Sequence, residues 1–384
     1  MAVARINFPR ILPLVSMRSI VILSLLLVSL LTSGCTPEQD LHTRIDSIVK
    51  PHLFSIASWE ISTLRQGIQH WLSDNEADIS DDVQVVTSYF QAIERDGSLT
   101  SLVEQIINSQ IRDVLAEQGI FNPITEHEFS FPPLNFRLEK LPHLLVISPR
   151  DRINSMQEIV LEQGLSLDKK EDIETRVDDL GVSSLVVELG GIATYPALIN
   201  SQASLRHTID TITEEWLHQY LAFKPLGFLY VLDLTGLVRN YEIATINESL
   251  VGIVSKEIGD LVYQKHYPLY EDKAVQVSES EFDFNDEMRE IRITVGAYLA
   301  RGEIQQAEEF MEYKRQYLIS MGFYIRKLNQ AYFAFHGTYA HSPGFISPIG
   351  LELKELRNRS ISLTAFLRTV AAMTSRQDLS NSVN

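Results

Sequence analysis

The run Thr213-Glu214-Glu215-Trp216-Leu217-His218-Gln219-Tyr220-Leu221 reads as one apolar helix that carries two acids and a histidine. A helix rises ~1.5 Å per residue, so positions 214 and 218 share a face about 6 Å apart. Two side chains at i and i+4 can pinch one metal ion, and an acid directly after the first ligand can reach the ion's bound water. On that logic Glu214 and His218 hold ligand places and Glu215 the place of a general base. Taken alone the pattern is weak, because glutamates on helices usually form a solvated face. Trp216, Leu217, Tyr220 and Leu221 shift the balance: acids on so apolar a helix are partly buried and need partners. Asp210, one turn before Glu214, adds a carboxylate to the same side, and two so close favour a cation or a proton. His207 shares the face but precedes Glu214 by seven residues, about 10 Å along the axis. It cannot share an ion with His218 and reads as a helix-start or surface residue.

Asn247-Glu248-Ser249-Leu250-Val251 lies downstream on another predicted helix, with Glu248 30 residues after His218. The pair of segments resembles the metal site of gluzincin metallopeptidases. There, a His-Glu-x-x-His helix is completed by the glutamate of an Asn-Glu-x-x-Ala segment. Leu185 to Thr194 resembles the strand that crosses such a cleft and pairs with an extended substrate. The whole region from about Pro132 to Leu379 is similar to a bacterial family of predicted zinc-dependent peptidases, whose members carry an intact His-Glu-Trp-x-His at 214–218. The segment Leu328 to Tyr339 is part of the same resemblance.

The resemblance implies Glu214, His218 and Glu248 as metal ligands and Glu215 as the residue that activates metal-bound water for peptide hydrolysis. It also places His336 and Tyr339 where they could stabilise an oxyanion, a role open to either side chain. For His336 the alternative is a packed helix end, bonded to a backbone carbonyl. Asn247 could orient a ligand from behind, and Glu257 reads as a solvated acid or a supporting one. The implied ion is zinc. One departure from the pattern matters. Glu214 stands where the family has a neutral imidazole, so two carboxylates would face the ion. That lowers its Lewis acidity and raises the pKa of its water, and it makes manganese more competitive. The chain is therefore expected to be either a metallopeptidase or a degenerate one, a pseudoenzyme that keeps the fold for binding or structure. A third reading makes it a purely structural lipoprotein whose acids are solvated.

The expected fold is α+β with helix dominant: a thermolysin-like core, a small antiparallel sheet and an N-terminal helical layer at 41–118. Leu144 to Ile147 and Ser183 to Leu189 are the best strand candidates. Gly190-Gly191 after the second suggests a bulge or a close backbone approach. The sheet carrying Leu185–Leu189 should cover the 214–221 helix, which should also pack on the helix of Glu248. Phe228 to Leu232 reads as a short apolar segment between helices. Phe284 to Ala300 and Ile304 to Leu318 read as a helical hairpin turning at Arg301-Gly302. The stretch Ser98 to Glu104 should start a helix, with Ser98 or Ser101 as its cap and Glu104 at capping-box spacing from Ser101. A last helix is expected over Ser362 to Met373.

Outward from this region, the N-terminus speaks to location. Three arginines precede the apolar run Ile20 to Leu31, which is too short to span a bilayer and leads into Leu31-Thr32-Ser33-Gly34-Cys35. This order of basic, apolar and small residues is that of a signal peptide, and the last run resembles a bacterial lipoprotein lipobox. The resemblance implies cleavage before Cys35 and acylation of its thiol. It thus implies a signal peptide at 1–34, a lipidated tether at 35–40 and a metallopeptidase-like region at 119–384. The protein would sit in the cell envelope, lipid-anchored on the extracytoplasmic side of a bacterial membrane. Loss of 1–34 leaves 30 basic and 50 acidic side chains, a net charge of −20. So acidic a surface argues against nucleic acid and against electrostatic docking on anionic lipid. Cys35 is the only cysteine, so once acylated it leaves neither a disulfide nor a cysteine nucleophile. No Gly-x-Ser-x-Gly elbow or phosphate-binding glycine loop occurs. Peptide or protein is the expected substrate.

Overall fold

The computed structural model describes residues 37–56, 59, 82–125, 131–235, 237–238, 240–270, 282–337 and 348–383. Cys35, the apolar run before it and Tyr339 lie outside these. The chain is α+β with helix dominant. Helix α1 (Pro37–Val49) is followed by α2 (Asp82–Gln91) and α3 (Thr100–Glu117). Strands β1 (Phe136–Glu139), β2 (Pro142–Pro149) and β3 (Gln157–Gln163) precede α4 (Leu167–Asp178). Then come β4 (Val182–Glu188), β5 (Gly191–Ile192) and β6 (Ala197–Asn200). The helices that follow are α5 (Leu205–Leu221), α6 (Pro225–Leu234) and α7 (Tyr241–His266). The chain continues with α8 (Phe284–Ala300), α9 (Ile304–Ser320) and α10 (Gln330–His336), and it ends with α11 (Ile349–Arg359), α12 (Leu363–Ala371) and α13 (Arg376–Val383).

Among the described residues two small sheets form, each of three strands. One is antiparallel in the order β3-β2-β4. The other is mixed in the order β1-β6-β5, with β1 parallel and β5 antiparallel to β6. The antiparallel sheet is covered on both faces. Val182 and Val186 of β4 join α1 and α4 in one apolar cluster, while Leu185 and Val187 meet Ala331 and Phe335 of α10 on the other side. Both faces of β4 are therefore taken, and α5 does not lie beneath the Leu185–Leu189 strand as expected. It packs instead under the second sheet, against β5 and β6.

The largest core forms around the α5–α7 pair, with α2, α3, α11, α12 and residues of β1 and β6 closing it. Helices α2 and α3 share this core rather than standing apart as a layer, and α1 belongs to the antiparallel sheet. Helix α1 already begins at Pro37, inside the stretch expected as a tether; proline suits a first helical turn because its missing N–H has no partner there anyway. The same device starts α6 at Pro225, and Phe228–Leu232, expected as a short apolar segment between helices, is itself helical.

The hairpin of α8 and α9 follows the expected bounds closely. Gly302 joins the two helices at φ +75°, a conformation glycine adopts without steric cost. Ser362 caps α12, accepting from Ala365 N at 3.1 Å. At α3 the capping-box expectation fails. The hydroxyl and amide of Ser98 both turn to Asp96, at 2.7 and 2.8 Å, and no side chain caps the helix. Glu104 is buried and bonds instead to Leu138 N at 2.7 Å and Arg137 at 2.9 Å, tying α3 to β1. A buried carboxylate needs such donors more than a solvated helix end needs a cap. Among the described residues no helix is long and apolar enough to cross a membrane.

Candidate metal centre

Two capped helices set the site. Ser204 begins α5 by accepting from His207 N at 3.3 Å, and Asn240 begins α7 by accepting from Ile243 N at 3.1 Å. Leu205, Ile209, Ile212 and Trp216 recur every three to four residues on α5, as do Ile243, Ile246, Leu250, Val254 and Ile258 on α7. These stripes bury against each other, all but fully. Burying the stripes carries polar residues inward with them. Glu214 and His218 come from α5 and Glu248 from α7, and each offers a donor atom within 4.8 Å of the other two. His218 Nε2 lies 3.8 Å from Glu248 Oε2.

The donors are poorly partnered for groups so buried. Glu248 is only 6% exposed, yet its Oε2 accepts no hydrogen bond, and His218 Nδ1 has no partner. Buried polar groups in folded proteins are bonded in the great majority of cases, and a cation among the three would satisfy the Glu248 oxygen, which faces His218 Nε2. Asn247 is fully buried beside His218, where it favours the protonated ring, although no hydrogen bond of full geometry joins them. One imidazole with two carboxylates is a donor set that zinc accepts and that also suits manganese. The residues therefore fit a divalent ion.

Electrostatics match the geometry. Burial pushes the Glu214 carboxyl up to about 7; His218 pulls it down, while Glu248 and Asp210 push it further. Burial also raises Glu248 to about 7, against a hydrogen bond from Tyr230. Glu215 is raised well above the usual carboxylate range by burial first and then by Glu214 and Glu248. Burial lowers His218, which keeps its ring neutral and able to donate a lone pair.

Glu215 points from α5 toward the second sheet. A Cβ added at Gly191 in β5 would stand 2.8 Å from Glu215 Cγ, and closer still to its Oε1. The close backbone approach expected at Gly190-Gly191 is thus against this acid. Strand β5 bonds only to β6, so its other edge is unpaired among the described residues. Two further bonds hold α5 in place: Trp216 Nε1 donates to Pro132 O at 2.8 Å, and Gln219 Nε2 donates to Thr194 O at 2.6 Å.

Other expected residues fall elsewhere. Glu257 makes a two-pronged ion pair with Arg357 of α11, at 2.9 and 2.5 Å. It lies nine residues, or about 13 Å of helix, beyond Glu248. His336 ends α10 in an aromatic cluster, 4.3 Å from the Tyr332 ring and 5.0 Å from the Phe335 ring. Burial lowers its pKa to about 4. His336 is not one of the three converging donors. His207 is exposed at the start of α5.

Tyr230 of α6 is the residue the sequence reading missed. Its hydroxyl donates to Glu248 Oε1, and its ring stacks on His218 with centroids 5.6 Å apart and planes at 23°. A helix period would have flagged it, since Tyr230 stands one turn after Leu226 and Gly227, both buried. No protein-family model, no curated protein and no solved structure matches this chain.

Proposed function

We propose that this protein is a metal-dependent peptidase of the cell envelope, with a gluzincin-type, thermolysin-like core and a lipid anchor at Cys35. The observation that carries the reading is the convergence of Glu214, His218 and Glu248 from two packed helices, with Glu215 buried beside them. Those three side chains would hold zinc or manganese. A divalent ion there would act as a Lewis acid toward water and the scissile carbonyl. Glu215, raised by burial, would take a proton from the attacking water and return it to the leaving amine. The unpaired edge of β5, whose glycine abuts Glu215, suits an extended peptide, which adds to a sheet edge through backbone hydrogen bonds. The lipobox-like run before Cys35 supports the anchor.

A second reading has its own observation. Glu214 supplies a carboxylate where hydrolysis is better served by imidazole, so the site would bind an ion but activate water poorly. In that case the protein is a peptidase-like binding or structural lipoprotein. Hydrolysis of an unfolded protein by the full-length, metal-loaded chain separates the two. The peptidase reading expects cleavage that falls at least about 10²-fold in Glu215→Gln while metal content is kept. A wild-type chain that holds metal and cleaves nothing supports the binding reading. Equal cleavage by the Glu215→Gln variant would remove Glu215 from the mechanism.

A further inference from the structure

We infer that Tyr230 is a positioning residue that fixes two of the three ligands for the ion, an inference that rests on the metal-binding reading above. Its placement begins with Gly227. In the first turn of α6 that glycine lies hard against the backbone carbonyl of Leu221, where any Cβ would collide. The end of α5 and the start of α6 are therefore in backbone contact. Leu226, fully buried beside Gly227, anchors the same turn. Tyr230 follows Gly227 by three residues and so continues this inward face. Phe228 and Leu234, off that line or beyond it, are more than half exposed.

Pinned this way, one side chain meets both ligand helices. The Tyr230 hydroxyl takes Glu248 Oε1, which leaves the unpartnered Oε2 as the oxygen that faces His218 Nε2 at 3.8 Å. The phenol ring lies nearly parallel to the His218 imidazole. The rotation of the carboxylate and the plane of the ring are thus set by the same group, before any ion arrives. Ligating carboxylates and imidazoles commonly depend on such outer contacts, whose loss weakens metal binding by roughly 10–100-fold. The opposite role is also open to a residue in this place: a hydroxyl on a ligand oxygen could compete with the ion.

Titration separates the two roles. The probes are Zn²⁺ and Co²⁺ alone, against the full-length chain in detergent, for wild type, Tyr230→Phe and Tyr230→Leu. Tyr230→Phe keeps the ring and its packing and loses only the hydroxyl. It should bind Zn²⁺ about 10-fold more weakly and shift the visible absorption of bound Co²⁺, with a thermal midpoint showing that the fold is kept. Tyr230→Leu, which also loses the stack, should bind more weakly again. If Tyr230→Leu does not fold, Tyr230→Phe decides alone. Unchanged affinity and an unchanged Co²⁺ spectrum in Tyr230→Phe would overturn the positioning role, and tighter binding would make the phenol a competitor. No binding by the wild type would remove the metal reading and this inference together, a result distinct from equal binding by both proteins.

Discussion

On the peptidase reading, Gly191→Ala is expected to cut peptide hydrolysis by about 10²-fold while leaving metal content near that of the wild type. The backbone at Gly191 tolerates alanine, because its φ is not positive. The obstacle is space. The new methyl group would stand 2.7 Å from Thr211 Cγ2 and 2.8 Å from Glu215 Cγ, and nearer to Glu215 Oε1. Something must yield, and the end of the Glu215 side chain moves more easily than α5 or the strand. Displacing a catalytic group by about 1 Å can cost 10²-fold in rate. The three candidate ligands are other residues of α5 and α7, so metal analysis should register little. Equal loss of metal and activity would mean that the strand shifted the whole helix. Undiminished activity would mean that Glu215 has no catalytic place.

Trp216→Ala should destabilise the protein by about 3–5 kcal/mol, the range for deleting a large buried aromatic side chain. Trp216 is 2% exposed in the main core, and its ring lies tilted against that of Tyr220 with centroids 5.3 Å apart. Its Nε1 also satisfies the Pro132 carbonyl, which the variant leaves unpaired. For a chain of this size such a loss lowers the thermal midpoint by roughly 5 °C. Differential scanning calorimetry checks it. A change under about 1 kcal/mol would contradict the placement of α5 at the centre of the fold.

What could be read from the residues was decided by periodicity. The α8–α9 hairpin and α12 declare themselves through caps, glycine and apolar spacing, and the α5–α7 contact follows from two stripes that each need a partner. The sheet arrangement did not follow. Nothing in the apolar run of β4 says that both its faces are covered by helices, and β5 and β6 are too short to carry an alternating signal. The three donors were legible because i and i+4 on one helix is a local relation, and a second helix supplies the rest. Helix period could mark Tyr230 as inward-facing, but not its role, which depends on the contact between the end of α5 and the start of α6 at Leu221 and Gly227. His336 and Glu257 show the reverse case. Each has a suitable side chain, but His336 lies against Tyr332 of its own helix and Glu257 is paired with Arg357, and neither joins the three donors.

The central claim is that α5 and α7 together hold one ion. Titrating the full-length, metal-free chain with zinc and with manganese, followed by elemental analysis after dialysis, tests it directly. The account predicts about one ion per chain, lost in His218→Ala and in Glu248→Ala and kept in Glu215→Gln. A wild-type chain that takes up neither ion, or one whose uptake is unchanged when His218 and Glu248 are removed, would contradict it.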